Sequence, residues 1–313
     1  MRYKHFVNAD VDVSEVAVGT WAIGGDNYGP VDYGASVEAI RRMIDNGVNL
    51  VDTAPCYGNG YAEKVVGDAL AGGYRDRVLL STKFGLVTSA NGYDRDSSFK
   101  NVMREVESSL YNLKTDHIDF YFIHWPDMNT PFAETMTALE LLRKQGKIRF
   151  IGVSNFTVEM IEECNKYGKV DVQQPPFSMV DRQFTDLMKW GVERGIDSMT
   201  YGSMGAGILS GKFRTTPDFP EGDTRLTFYD YFREPKFSKV QELLKVMDVI
   251  ADKHNAPVSQ VALNWSCQKD YVGTSLVGVR TIQHADENCA AFDWKLDDGD
   301  IAALDAELDR LEL

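Results

Sequence analysis

The chain lacks most of the features that mark a secreted, membrane-embedded or metal-binding protein. Its 313 residues include only four cysteines, and these are far apart in the sequence. No CxxC pair or Cys/His spacing is present, so neither a disulfide scaffold nor a metal site is predicted. No apolar run approaches the ~20 residues that a membrane-spanning helix needs, and residues 1–6 (MRYKHF) lack the apolar stretch of a signal peptide. We therefore expect a cytoplasmic protein without a metal and without membrane contact.

Positive charge is also scarce. The chain has 33 Lys and Arg residues against 47 Asp and Glu residues, and its net charge is −14. Nucleic acid and acidic membrane surfaces would repel such a chain overall, so neither is an expected partner. A few local cations are still enough to bind an anionic cofactor. No linker, repeat or low-complexity tract divides the sequence, so we predict one domain over residues 1–313; the sequence does not indicate an oligomeric state.

Short apolar runs alternate with amphipathic segments along the chain. Apolar residues at helical spacing predict helices within residues 35–47, 62–72, 98–113, 131–146 and 157–168. The apolar runs predict eight strands, which end near Val18, Asp52, Lys83, His124, Val153, Gln174, Tyr201 and Val277. This alternation predicts an α/β protein with a (β/α)8 TIM barrel. The rival fold, an open doubly wound sheet, would carry a GxGxxG motif after its first strand, and the sequence has none there.

Two segments lie outside this alternation. The pattern of residues 1–15 predicts a β-hairpin that plugs the N-terminal mouth of the barrel. Residues 212–235 are rich in proline, aspartate and aromatic residues. Irregular loops of this length are usually functional or disordered.

Four ionisable side chains occur at the ends of three consecutive predicted strands. Asp52 ends the second strand and Tyr57 follows it, while Lys83 ends the third strand and His124 the fourth. Active sites of such barrels lie at the carboxyl ends of the strands. Neighbouring strands are about 4.8 Å apart, so we expect these four side chains to cluster.

The four residue types suit the reduction of a carbonyl group, in which carbon receives a hydride and oxygen receives a proton. A phenol has an unperturbed pKa of about 10, and a cation beside it favours the phenolate. We expect Tyr57 to exchange the proton, Lys83 to supply the cation, Asp52 to hold Lys83 in place, and His124 to orient the substrate oxygen. Each residue alone has a structural explanation, as a cap, a packed ring or a buried histidine, and only their joint placement favours catalysis.

The segments around these residues resemble motifs of the aldo-keto reductase family. They are NLVDTAPCYGNGYAEKVVGDAL, STKFG, HIDFYFIHWPD and, on the fifth predicted strand, GKIRFIGVSNF. The resemblance extends from Gly19 to the helix after Asn288. It implies an NADP(H)-dependent oxidoreductase that interconverts a small aldehyde, ketone or sugar and its alcohol. It also implies that the catalytic tetrad is Asp52, Tyr57, Lys83 and His124.

The resemblance further implies a nicotinamide cofactor, with NADP(H) preferred and NAD(H) possible. Ser154, Asn155 and Gln174 match the residues that hold the carboxamide, Tyr201 matches the ring that stacks on the nicotinamide, and Arg280 matches the partner of the 2′-phosphate. The complete expected set of cofactor contacts is Gly19, Thr20, Trp21, Asp52, Ser154, Asn155, Gln174, Tyr201, Gly202, Ser203, Met204, Gly207, Leu209, Gly211, Lys212, Val279, Arg280, Thr281, His284, Glu287 and Asn288.

The substrate pocket is expected to be lined by Trp21 and Trp125 together with Tyr57 and His124. Residues 84–98 and 212–235 are expected to complete its walls, while Cys56 is interpreted as having no role.

Two other functions stay open. One is a nicotinamide-binding regulatory module with little turnover, as in the potassium-channel β-subunits of the same family. The lack of an extension before residue 1 or after residue 313 favours an enzyme over such a module. The other is an isomerase or lyase that forms a Schiff base at Lys83. Asp52 beside Lys83 would keep that amine protonated and a poor nucleophile.

Overall fold

The computed structural model describes residues 1–25, 29, 31–89, 92–219, 223 and 225–313. The chain begins with an antiparallel hairpin of β1 (Tyr3–Phe6) and β2 (Val11–Ser14). The other strands of the described residues are, in chain order, β3 (Val16–Gly19), β4 (Leu50–Asp52), β5 (Leu79–Phe84), β6 (Leu86–Ser89), β7 (Gly92–Arg95), β8 (Ile118–Ile123), β9 (Ile148–Ser154), β10 (Val172–Gln174), β11 (Asp197–Thr200) and β12 (Thr274–Gly278).

Helices connect most of these strands. Side-chain caps start several of them: Ser98 accepts a hydrogen bond from the backbone N–H of Asn101, and Thr157 accepts one from that of Met160. The α-helices are α1 (Tyr33–Asp45), α2 (Tyr61–Ala69), α3 (Phe99–Leu113), α4 (Phe132–Lys144), α5 (Val158–Cys164), α6 (Thr185–Val192), α7 (Arg225–Phe228), α8 (Lys236–His254), α9 (Val258–Cys267), α10 (Ile282–Ala290) and α11 (Asp298–Leu311). None of them, within the described residues, is long and apolar enough to cross a membrane.

Eight strands form a closed parallel barrel. They pair in chain order as β3, β4, β5, β8, β9, β10, β11 and β12, and β12 pairs with β3 to close the circle. Each predicted strand end lies within one residue of the observed end. The prediction of a (β/α)8 barrel is therefore confirmed. All eight carboxyl ends meet at one mouth, as active-site chemistry on this fold requires.

The N-terminal hairpin closes the opposite mouth, as predicted. Phe6 and Val13 are fully buried, and the Phe6 ring packs against Phe120 of β8 with 6.3 Å between the ring centroids. A Cβ atom on Gly273 would lie 2.6 Å from the Phe6 ring, so this approach of the hairpin requires glycine there. Packed side chains therefore fill the interior of the barrel, beginning at the hairpin.

Two segments add structure at the carboxyl mouth. Strands β6 and β7 form a hairpin directly after β5, a feature that the sequence did not predict. Residues 212–235, expected to be irregular, include α7 and a 3₁₀ turn at Asp230–Phe232. Residues 90 and 91 of the segment 84–98, and residues 220–222 and 224 of the segment 212–235, lie outside the described residues.

Candidate active site

A wide cleft of about 1870 Å³ opens at the carboxyl mouth of the barrel. Asp52, Tyr57 and His124 all contribute to its wall. Lys83 lies just beneath the wall and is fully buried. The structure therefore brings together the four side chains that the sequence pattern singled out. Among the described residues, no group of acidic, histidine and cysteine side chains is arranged to hold a metal ion.

A buried ion pair forms the floor of the cleft. Lys83 Nζ lies 2.6 Å from Asp52 Oδ2 and also donates to the carbonyl oxygen of Thr53 at 2.9 Å. The other oxygen of Asp52 accepts hydrogen bonds from Ser81 Oγ at 2.7 Å and from Gln174 Nε2 at 3.0 Å. A buried charge is tolerated only when it is paired and its remaining polar atoms are bonded, and both conditions hold for this pair. The site thus keeps a fixed positive charge under the cleft.

Tyr57 lies directly above this charge. Lys83 Nζ is 5.1 Å from the centre of the phenol ring. Trp21 stacks on the ring with 6.4 Å between centroids, and His124 meets it edge-on at 6.0 Å. These contacts hold the Tyr57 ring beside the Lys83 ammonium group.

The loop that carries Tyr57 depends on a glycine. Gly58 has a positive φ of 62°, a region that side chains other than glycine rarely adopt. A Cβ atom there would lie only 2.5 Å from the carbonyl oxygen of Gly24. The backbone of the loop can therefore press against the turn at Trp21–Ile23, which brings the rings of Trp21 and Tyr57 together.

His124 follows β8 and is held by its own backbone, since its N–H donates to the carbonyl oxygen of Phe84 at 3.0 Å. Burial, followed by the positive charge of Lys83, holds the pKa of this imidazole well below its usual value. The ring is therefore neutral near pH 7. A neutral imidazole carries one donor and one acceptor nitrogen, so it can direct a polar atom without adding charge.

Of the four residues expected around the nicotinamide, three side chains and the backbone carbonyl of Gln174 form one hydrogen-bonded chain. Tyr201 Oη donates to Asn155 Oδ1 at 2.9 Å, and Asn155 Nδ2 donates to the His124 carbonyl oxygen and to Ser154 Oγ, both at 3.0 Å. Ser154 Oγ in turn donates to the carbonyl oxygen of Gln174 at 2.8 Å. All four residues line the cleft. This chain links the cofactor residues expected from the sequence to the tetrad through His124.

The glycine-rich segment after Tyr201 turns sharply along the cleft. Gly202 and Gly207 line it with φ values of 73° and 95°. No heavy atom lies within 4 Å of the position a Cβ would take on Gly202. Backbone without side chains can approach a phosphate closely. The segment thus leaves open space beside its backbone at Gly202, into which a phosphate group would fit.

The expected adenosine contacts gather at the start of α10. Thr281 caps this helix by accepting from the backbone N–H of His284, and Asn288 Nδ2 donates to the Gly278 carbonyl oxygen at 3.3 Å. Thr281, His284 and Glu287 are exposed on the same helix, with Arg280 directly before it. A helix start with a nearby guanidinium is a suitable environment for a phosphate.

Not every expected cofactor residue reaches the cleft with its side chain. Leu209 and Val279 are fully buried, each in an apolar core cluster. Any cofactor contact of these two residues would have to come from their backbone. The expected residues that do line the cleft are Gly19, Thr20, Trp21, Asp52, Ser154, Asn155, Gln174, Tyr201, Gly202, Ser203, Met204 and Gly207.

Comparison with known proteins identifies this arrangement. A sequence model described as the aldo/keto reductase family matches residues 15–309. The chain belongs to this family. As an aldo-keto reductase, it is an oxidoreductase that interconverts carbonyl and alcohol groups.

Individual aldo-keto reductases resemble the chain over nearly its whole length. It is 33% identical to aldo-keto reductase YhdN of Bacillus subtilis (strain 168), covering 96% of this chain and 91% of that protein. It is 31% identical to the NADH-specific methylglyoxal reductase of Escherichia coli (strain K12), with 97% of each chain covered.

Solved structures of known proteins also resemble this chain. The glycerol dehydrogenase of Gluconobacter oxydans superposes with a TM-score of 0.89 at 33% identity, covering 99% of this chain and 94% of the other. An aldo/keto reductase of Klebsiella pneumoniae, solved with NADP and acetate, superposes with a TM-score of 0.75 at 27% identity, covering 97% and 95%. One of these neighbours is thus solved with NADP, whereas one of the relatives is named as specific for NADH.

The outer wall of the cleft in this aldo-keto reductase is aromatic. Trp21 and Trp125, which are expected at the substrate, line it together with Leu86 of β6 and Tyr93 of β7. Arg95 lies 5.2 Å from the Trp125 ring centre and donates to the Pro126 carbonyl oxygen at 3.3 Å, which holds this wall in place. The sequence indicated residues 84–98 only as a range, because the pairing of β6 with β7 depends on contacts that no local pattern reveals.

Proposed function

We propose that this aldo-keto reductase transfers hydride between NADP(H) and a small carbonyl compound, with Tyr57 as the proton donor and acceptor. The observation that carries the proposal is the position of Lys83. Its ammonium group, paired with Asp52 at 2.6 Å, lies 5.1 Å from the centre of the Tyr57 ring. When bound, the nicotinamide supplies or removes the hydride. The protein's task is then to bind the substrate, to move the proton and to exclude competing water.

The proton step follows from this arrangement. In the reducing direction the carbonyl oxygen gains negative charge as carbon receives the hydride, and the Tyr57 phenol supplies a proton to that oxygen. The phenolate that remains is stabilised by the cation beneath it. In the oxidising direction the same phenolate accepts the proton of the alcohol. The charge of Lys83 therefore supports both the reducing and the oxidising direction of the reaction.

His124 is proposed to orient the substrate oxygen beside Tyr57. Its imidazole is neutral because burial and the charge of Lys83 hold its pKa well below the usual value. It therefore acts as a hydrogen-bond donor to oxygen, while the proton that is transferred comes from Tyr57. This division suits a site in which the two rings meet at 6.0 Å.

We propose NADP(H) as the preferred nucleotide, with Arg280 binding the 2′-phosphate. A guanidinium directly before the start of α10, which Thr281 caps, offers a charged donor and free helix amides to the same anion. The relative that is specific for NADH makes NAD(H) the alternative to be tested.

The aromatic wall suggests which carbonyl compounds bind best. Trp21, Trp125, Tyr93 and Leu86 present flat or apolar surfaces to the same cleft as the tetrad. Burying an apolar group contributes about 25 cal/mol per Å², and these walls cover such a group well. We expect flat, apolar aldehydes to have lower KM values than polyols of similar size.

The experiment that tests the proposal has two stages. Fluorescence titration with NADPH and NADH measures binding. Absorbance at the nicotinamide band then measures turnover of aryl aldehydes, small aliphatic aldehydes, ketones, sugars and polyols. We expect tighter binding of NADPH and the highest kcat/KM with an aryl aldehyde. Equal binding of the two nucleotides would contradict the cofactor preference. Tight binding without turnover of any panel member would favour the regulatory module, and no binding would refute the cofactor site.

A further inference from the structure

Cys56 lies between two members of the tetrad. It directly precedes Tyr57, its half-buried side chain lines the cleft, and its Sγ lies 3.6 Å from Nδ1 of His124. Its carbonyl oxygen accepts a hydrogen bond from Tyr93 Oη at 3.1 Å. The hydrogen bond from Tyr93 ties the Cys56 backbone to the hairpin of β6 and β7. The Cys56 thiol is therefore held beside the His124 imidazole.

The Cys56 thiol and the His124 imidazole are both uncharged near neutral pH. Burial raises the pKa of the Cys56 thiol to about 12, so it stays protonated near neutral pH. Burial and the charge of Lys83 hold the pKa of His124 well below its usual value, so its ring has only one N–H. A thiol is a weak donor, and a neutral imidazole has one acceptor nitrogen. When the ring proton is on Nε2, the 3.6 Å contact runs from S–H to Nδ1.

We propose that Cys56 is a positioning residue that sets the tautomer of His124, by donating from its thiol to Nδ1 and so keeping the ring proton on Nε2. The hydrogen bond made by one ring nitrogen decides which nitrogen is protonated. A carbonyl oxygen can only accept hydrogen bonds. Nε2–H attracts that oxygen, whereas an Nε2 lone pair would repel it.

This inference rests on the role proposed above for His124 at the substrate oxygen, yet the tautomer can be measured without turnover. The ¹⁵N shifts of an imidazole distinguish protonated from unprotonated nitrogen. The chain has five histidines, and the variant His124→Gln identifies the signals of His124. We expect a neutral His124 with its proton on Nε2 from pH 8 to pH 6, and a larger share of the Nδ1–H form in Cys56→Ala. A wild-type ring protonated on Nδ1, or an unchanged tautomer ratio in Cys56→Ala, would overturn the inference.

Kinetics provide the second test. We expect Cys56→Ala to lower kcat about three- to tenfold, the effect of one ordinary hydrogen bond, with unchanged affinity for NADPH. Cys56→Ser keeps a donor on the same carbon atom and should recover most of the loss. Cys164→Ala, which removes a buried thiol from α5, is the matched control and should keep the wild-type kcat.

Two kinetic outcomes would refute the inference. One is an unchanged kcat in Cys56→Ala. The other is an equal loss in the serine and alanine variants, because packing and not a hydrogen bond would then explain the effect. If the wild-type protein turns over no carbonyl compound, the proposed function fails by itself, and the ¹⁵N measurement still decides the tautomer.

Discussion

The two ends of the expected dinucleotide site, one at the tetrad in the cleft and one at the start of α10, are built in different ways. At the tetrad end, defined by Asp52, Tyr57, Lys83 and His124, the two charged side chains are buried and bonded to each other. The half-buried rings of Tyr57 and His124 pack against one another. At the α10 end, defined by Arg280, Thr281, His284 and Glu287, most side chains are exposed on the first turns of a helix. A buried charge without its partner is costly, whereas an exposed charge is solvated by water.

This difference separates chemistry from recognition. Substitutions at the tetrad end should change turnover, stability or both, because those side chains support each other. Substitutions at the α10 end should change nucleotide affinity and leave the barrel intact. The predictions below test this comparison, from the largest expected effect to the smallest.

Tyr57→Phe should cause the largest loss. Removing the phenol oxygen removes the proton donor, and positioned proton transfer contributes about 10²- to 10⁴-fold to rate. The rings around Tyr57 can still pack, so NADPH affinity should stay within about twofold. Steady-state kinetics and fluorescence titration on the same preparation measure both. Turnover within tenfold of wild type would refute the role of Tyr57 and weaken the distinction between the two ends.

Lys83→Met should destabilise the barrel as well as abolish turnover. The change leaves the buried Asp52 carboxylate without its cation, which costs about 3–5 kcal/mol of the free energy of unfolding. The double variant Lys83→Met with Asp52→Asn should regain part of that stability and none of the turnover. Urea unfolding measures the stabilities.

The exposed Lys100 on α3 is the control for this prediction, and Lys100→Met should change the free energy of unfolding by less than about 0.5 kcal/mol. If the single variant at Lys83 proved as stable as the double variant, the buried pair would not be a coupled unit.

Arg280→Ala should act on affinity alone. Losing a charge-assisted hydrogen bond to phosphate should raise the Kd for NADPH about 10- to 100-fold, with little change for NADH and no change in the free energy of unfolding. Arg310→Ala, at the far end of α11, should change neither affinity. An equal loss of affinity for NADPH and for NADH would mean that Arg280 does not bind the 2′-phosphate.

The smallest expected effect is on the way the free energy of unfolding depends on pH. An unfolded histidine takes up a proton near pH 6.5, whereas His124 in the folded chain has a pKa well below that value. The unfolded state thus binds more protons as the pH falls below about 6.5, and the free energy of unfolding decreases. One such residue contributes up to about 1.4 kcal/mol per pH unit.

His124→Gln should remove that contribution, so its stability should fall less steeply than that of wild type between pH 6.5 and pH 5. Above pH 7 the two stability curves should run parallel. Denaturant unfolding at a series of pH values measures them, and identical slopes on the acid side would contradict a neutral His124 in the folded chain.

Much of this molecule could be predicted from local patterns. The ends of β4 and β5 were located because apolar runs stop at ionisable residues, and the parallel barrel followed from the alternation of strands with helices. The N-terminal hairpin was likewise visible in the first 15 residues. Periodicity is a property of consecutive residues, so a sequence displays it directly.

Other features depend on residues that are distant in the chain. Cys56 was interpreted as having no role, yet its Sγ lies 3.6 Å from a histidine 68 positions away. Leu209 was expected at the cofactor, yet its side chain is packed into the core. Tyr93 reaches the cleft only because β6 and β7 pair above it. Each of these outcomes depends on the direction a side chain takes in space, which short-range pattern does not specify.

By itself, the sequence determined the class of fold, the order of the barrel strands and the residue types at their carboxyl ends. The tertiary structure decided how those ends meet: that Asp52 has every oxygen bonded, that Lys83 is sealed beneath Tyr57, and that His124 has a thiol at Nδ1. The physical reason is the range of the forces. Helix and strand patterns follow from neighbouring residues, whereas pairing, burial and the resulting charge states arise only when closure of the barrel brings distant strands together and excludes water.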